Sequence, residues 1–134
     1  MTSLIKVEGI GKVYAGQLRK VGITTTEGLL ERGSTPKRRQ EIAAQSSISE
    51  NLILEWVNRS DLFRVRGIGE EYSDLLESAG VDTVVELAQR NPQNLYETLV
   101  KVNRDKKLVR KLPTAAQVAA WVMHAKELPR AVAY

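Results

Sequence analysis

Apolar positions recur at helical spacing along this chain, and no segment alternates apolar and polar residues with the period of two that marks a strand. Val13, Tyr14, Leu18 and Val21 form one helical stripe, with Gly22 where a C-terminal cap belongs. Tyr72, Leu75, Leu76 and Ala79, ahead of Gly80, form another. Thr25 and Thr83 stand as N-caps of the helices that follow. Thr83 with Glu86 makes a capping box, whereas Thr25 faces Gly28 and cannot. Pro36 and Pro92 mark the first turns of further helices. Ser49 and Thr114 each open a helix that carries a tryptophan, and Pro129 follows the end of the second. The pattern predicts an all-α fold.

The two stripes belong to a longer internal match. Shifted by 58 residues, Leu4–Arg32 falls on Leu62–Arg90 with eleven identities in 29 positions. Gly9, Ile10, Gly11, Tyr14, Leu18 and Gly22 meet Gly67, Ile68, Gly69, Tyr72, Leu76 and Gly80. Further on, Ser49, Ile53, Trp56 and Val57 match Thr114, Val118, Trp121 and Val122 at a spacing of 65. The seven extra residues are placed in the second copy, around Arg104–Lys111. This reading gives two tandem units, 3–60 and 61–126, the second with a basic insertion near 104–111, and a C-terminal tail at 127–134. The units are expected to share one compact helical domain with an approximate two-fold relation.

Composition changes this picture little, and charge more. At 134 residues, 43% apolar and 27% charged, the chain has the make-up of a globular domain. Met1–Val7 holds one lysine and too short an apolar run for a secretory leader, and no stretch approaches the roughly 18 apolar residues of a membrane span. The absence of cysteine excludes disulfides and thiolate metal sites and fits a cytoplasmic location. Net charge is +4, but it is segregated: residues 1–60 carry nine basic and six acidic side chains, 61–100 three and eight, 101–134 eight and two.

The recurring string is Val-x-Gly-Ile-Gly-x-x-Tyr-x-x-x-Leu-x-x-x-Gly followed by Ile or Val. Glycines permit positive φ and close backbone approach, and a helix N-terminus brings unsatisfied N–H groups and the positive end of its dipole. Ile10 and Ile68 are expected to point inward and lock each turn. The string resembles the helix-hairpin-helix motif of DNA repair and replication proteins. The whole chain resembles an uncharacterised bacterial family of such proteins, domain of unknown function 4332. Glu55-Trp56-Val57-Asn58-Arg59-Ser60-Asp61-Leu62, Arg66-Gly67-Ile68-Gly69-Glu70-Glu71-Tyr72, Ala79–Thr83 and Leu87–Pro92 carry that second resemblance. It implies a duplicated helical fold and no particular function.

The leading reading is non-enzymatic, sequence-independent binding of double-stranded DNA. Backbone groups at Gly9, Ile10 and Gly11, and at Gly67, Ile68 and Gly69, hold phosphates, with Lys12 and Arg66 beside them. Lys37, Arg38 and Arg39 and the run Lys101, Arg104, Lys106, Lys107, Arg110 and Lys111 supply counter-charge. Two carboxylates, Glu70 and Glu71, follow the second turn and oppose a phosphate there. For the basic run alone, a solvated surface loop is an equal reading. The rival function is a protein-interaction adaptor with purely structural hairpins. Its acidic 61–100 face docks on a basic face of this chain or a neighbour, giving self-association that salt weakens.

Other residues offer less chemistry. Gly9-x-Gly11 lacks the third glycine and the strand of a dinucleotide fingerprint. His124 has no second metal ligand at useful spacing, so it is read as a surface or packing residue. Trp56 and Trp121, at equivalent positions, are read as core anchors, and Tyr14 and Tyr72 likewise, with hydroxyls reaching a partner at the edge. No nucleophile–base–orienter set stands out, so catalysis, cofactors and metals are not expected.

Overall fold

The computed structural model describes residues 2–134, and Met1, where the stretch weighed as a leader begins, lies outside the described residues. A 3-10 turn at Leu4–Lys6 precedes eight helices among these residues: α1 (Lys12–Lys20), α2 (Thr26–Arg32), α3 (Pro36–Ser46), α4 (Glu50–Leu62), α5 (Glu70–Ser78), α6 (Val84–Ala88), α7 (Pro92–Lys106) and α8 (Ala115–Glu127). No strand forms among the described residues, although an isolated antiparallel bridge pairs Ser3 with Thr25. The fold is all-α. No helix among the described residues is long and apolar enough to cross a membrane. The chain divides into two compact units, Met1–Asp61 with Ala131–Tyr134, and Leu62–Arg130.

In the first unit α1 and α2 pack against α3. Its buried side chains include Val7, Ile10, Leu18, Ile23, Leu29, Ile42, Ile53, Trp56 and Val57. Helix α1 ends in a Schellman motif: the Gly22 N–H donates to the Arg19 carbonyl (3.0 Å) and the Ile23 N–H to that of Leu18 (3.0 Å). Val13, counted in the apolar stripe of α1, is 77% exposed. The helix starts at Lys12 and buries Ala15 and Leu18, and Val13, two residues before Ala15 and so about 200° around the helix from it, points away from that face. At the C-terminus, Ala131–Tyr134 belong to the first unit. Glu127 is the last residue of α8, Val132 is buried, and the Ala133 N–H donates to the Ser34 carbonyl (2.8 Å) within the first unit.

In the second unit α8 packs on α6 and α7, and α5 on α7, around Leu62, Leu75, Leu76, Leu87, Leu95, Leu99, Val118, Trp121 and Val122. Helix α5 ends as α1 does, with Gly80 N–H to Glu77 carbonyl and Val81 N–H to Leu76 carbonyl (both 2.9 Å). The reciprocal capping box lies at Thr114 and Gln117. At Thr83 the hydroxyl accepts from the Glu86 N–H and donates to the Glu86 carboxylate (both 3.2 Å), so the carboxylate takes the hydroxyl proton where a box would use the backbone N–H. Helix α6 has 5 residues and α2 has 7, while α7 has 15 and α3 has 11. Residues 107–114 join α7 to α8, and 47–49 join α3 to α4.

Candidate functional site

Each Gly-Ile-Gly segment turns the chain into a nine-residue helix, α1 or α5. The backbone does so through its first glycine, with φ of 93° at Gly9 and 88° at Gly67. The turns close with Ile10 N–H to Val7 carbonyl (3.1 Å) and Ile68 N–H to Val65 carbonyl (3.2 Å). Ile10 and Ile68 point inward, at 3% and 5% exposure, and hold the turns to their cores. A Cβ on Gly9 would stand 3.2 Å from Trp56 Nε1, and one on Gly67 3.0 Å from Trp121 Nε1. Backbone and neighbours both demand glycine at these two positions.

The second glycines are different. Gly11 (φ −90°, ψ −171°) and Gly69 (φ −114°, ψ −157°) are extended, a conformation open to any residue. A Cβ at either meets nothing within 4 Å. Nothing inside the fold requires glycine there. Both residues are N-caps, and neither helix has a side-chain cap. Thr25, Thr35, Thr83, Asn91 and Thr114, by contrast, each accept a hydrogen bond from the first turn of α2, α3, α6, α7 and α8. The first turns of α1 and α5 therefore keep free N–H donors at the positive end of the helix dipole, under a surface without side-chain cover.

The charges around the two turns are not alike. Glu8 and Lys12, both exposed, flank the first, and the first turn of α1 has no acidic residue. The second has exposed Arg66 ahead of it and Glu70 and Glu71 in the first turn of α5. Two contacts hold the second turn, and their partners are distant along the chain. The Arg66 N–H donates to His124 Nδ1 (3.1 Å), so His124 anchors the turn. The Tyr72 hydroxyl donates to the Lys111 carbonyl (3.1 Å), tying the 107–114 segment to the first turn of α5. The same segment is pinned at buried Val109, whose N–H and carbonyl both pair with the Asn103 side chain (2.9 and 3.2 Å).

The remaining basic residues lie on other elements of each unit. Lys37 and Arg38 are exposed at the start of α3, whose first turn Thr35 already caps, and Arg38 Nη1 donates to the Glu31 carbonyl (3.1 Å). Lys101, Arg104 and Lys106 are exposed on α7, Lys107 ends it in the left-handed region, and Arg110 and Lys111 are exposed beyond it.

Arg39 is a correction: expected beside a phosphate, it is 5% exposed. Its guanidinium donates to the carbonyls of Gly33 and Ala133 (both 2.8 Å) and lies 6.0 Å from the centre of the Tyr134 ring. Burial pushes its pKa below the ordinary guanidinium value, while Tyr134 and Glu50 pull the other way. Two of its donors serve the fold, and burial keeps the group from the surface. The described residues contain no group of three His, Cys, Asp or Glu side chains placed to hold a metal ion.

No curated protein and no solved structure matches the chain. The model of the family described as Domain of unknown function (DUF4332) matches residues 8–128, and the chain belongs to that family.

Proposed function

We propose that this protein is a non-enzymatic binder of the DNA phosphate backbone, built from two tandem helix-hairpin-helix units. One observation carries the reading. Helices α1 and α5 lack side-chain caps, and each follows a glycine whose Cβ position is empty. A glycine that the fold does not need, over free N–H donors, suits the close approach of an anion. The parallel turns, Schellman ends and tyrosine–tryptophan contacts of the two units support their origin by duplication.

The first turn is the stronger site. Lys12 adds positive charge to the dipole end of α1, whereas Glu70 and Glu71 already neutralise that of α5. Recognition is through phosphates alone, so affinity depends on salt and little on sequence. A second reading, an adaptor that binds protein, is favoured by those same two carboxylates, which suit a basic partner better than a phosphate.

The test compares Lys12→Gln with Lys20→Gln, equal charge changes at opposite ends of α1. Duplex affinity is read by fluorescence anisotropy across a salt series. Lys12→Gln is expected to reduce the slope of log K against log salt by about 0.9, the loss of one phosphate contact, and Lys20→Gln to leave it unchanged. Equal effects of the two substitutions would refute a localised site at the first turn.

A further inference from the structure

The tryptophans behind the turns are more than ballast. Trp56 is 1% exposed and Trp121 3%, yet neither indole N–H has a hydrogen-bond partner among the described residues. Neither Nε1 is among the fully buried side-chain atoms that lack a partner, so each N–H keeps access to the surface although the ring behind it is buried. Each free N–H has the same neighbours. Trp56 Nε1 lies 3.2 Å from the point where a Gly9 Cβ would stand, and its ring lies 5.0 Å, centre to centre, from Tyr14 in the first turn of α1. The indole is thus held between the Gly-Ile-Gly turn and the first turn of the helix whose amides are uncapped. Trp121 repeats the arrangement with Gly67 (3.0 Å) and Tyr72 (5.2 Å).

We propose that the Trp56 indole N–H is a donor of the anion site at the first turn, hydrogen-bonding a phosphodiester oxygen of DNA held on the α1 amides. The proposal deepens, and rests on, the reading of that turn as a phosphate site. Glycine at position 9 then has a second use: it leaves the indole N–H uncovered, where any side chain would crowd it. The second turn has the same donor, but Glu70 and Glu71 oppose an anion there, so Trp121 serves as the comparison.

The test titrates the ¹⁵N-labelled full chain with a short DNA duplex at low salt and follows two sets of resonances, the tryptophan Nε1–H groups and the backbone amides of Gly11 and Lys12. The Trp56 indole signal is expected to move downfield with the Gly11 and Lys12 amides and to saturate at the same Kd. Trp56→Phe keeps the ring against Tyr14, removes the donor and is expected to weaken binding about ten-fold, the loss of one hydrogen bond to a charged acceptor. Movement of Gly11 and Lys12 without the Trp56 indole would overturn the donor role and leave the turn as a phosphate site. Stationary Gly11 and Lys12 amides would overturn the phosphate site itself. The shifts are read on the unaltered chain, so they decide the matter whether or not the Trp56→Phe variant folds.

Discussion

Gly11→Ser separates what the fold needs from what a ligand needs. Position 11 has extended backbone angles and empty space where Cβ would be, so a serine enters without strain. Replacing glycine at a compatible position stabilises by about 0.4–1 kcal/mol through the entropy of the unfolded chain. Serine also caps a helix better than glycine, by a few tenths of a kcal/mol. The variant is therefore expected to be more stable by about 1 kcal/mol, a rise of roughly 4 °C in Tm for a chain of this size. Its hydroxyl would accept from the Val13 or Tyr14 N–H, and its Cβ would stand where a phosphate approaches. Loss of one charge-assisted hydrogen bond, about 1.5–3 kcal/mol, lowers duplex affinity ten-fold or more. Calorimetry and anisotropy on one preparation read both effects. Unchanged affinity in a stabilised variant would refute the reasoning and leave the turn as architecture. The control is Gly9→Ala, where the left-handed backbone and the crowding of Trp56 are expected to cost at least about 1–2 kcal/mol of stability.

Two further outcomes test the structure away from the turns. Arg39→Met strands the Gly33 carbonyl in a buried site, removes the part-buried bond to the Ala133 carbonyl, and is expected to destabilise the protein by about 1–3 kcal/mol in urea unfolding. DNA affinity of the folded variant is expected to stay at the wild-type level, and a selective loss of binding would restore Arg39 to the interface. Glu27 provides a pH test. Partial burial raises its pKa, but the hydrogen bonds from the Thr2 N–H, its own N–H and the Thr26 hydroxyl outweigh this and hold it below the ordinary 4.5. A depressed carboxylate stabilises the fold above its unfolded pKa, and that stability is lost as pH falls through the folded value. The stability gap between wild type and Glu27→Gln should therefore be constant above pH 4.5 and close below it. A gap that persists in stronger acid would show that Glu27 does not act through its charge.

Local chemistry made much of this molecule readable in its sequence. Positive φ at Gly9 and Gly67, Schellman ends at Gly22 and Gly80, caps at Thr25 and Thr83, and first-turn prolines at 36 and 92 each depend on residues a few positions apart. Equivalence between the two stretches added Trp56 and Trp121 as buried anchors. What escaped depends on contacts distant along the chain. Arg39 looks like one of three surface cations until Ala133, 94 residues away, returns to accept its hydrogen bond. His124 has no metal partner, and its actual role, accepting from Arg66, links positions 58 apart. In the segment after α7 the charges are conspicuous in the sequence, whereas Asn103, which pins it, carries no pattern, and Tyr72 was legible as an anchor whose hydroxyl needs a partner but not as one that reaches Lys111. At the candidate site, Lys12 and the glycines were legible as types. That Gly9 serves the fold and Gly11 does not needed the backbone angles and the empty Cβ position.

The most direct test of the central claim is the affinity of the purified chain for two duplexes of unrelated sequence, from about 50 to 200 mM salt. The account predicts matching affinities that fall linearly on a log–log plot, with a slope near −0.9 for each phosphate neutralised. No binding by micromolar protein at the lowest salt, or binding indifferent to salt, would contradict it and leave the Gly-Ile-Gly turns as parts of a protein-binding scaffold.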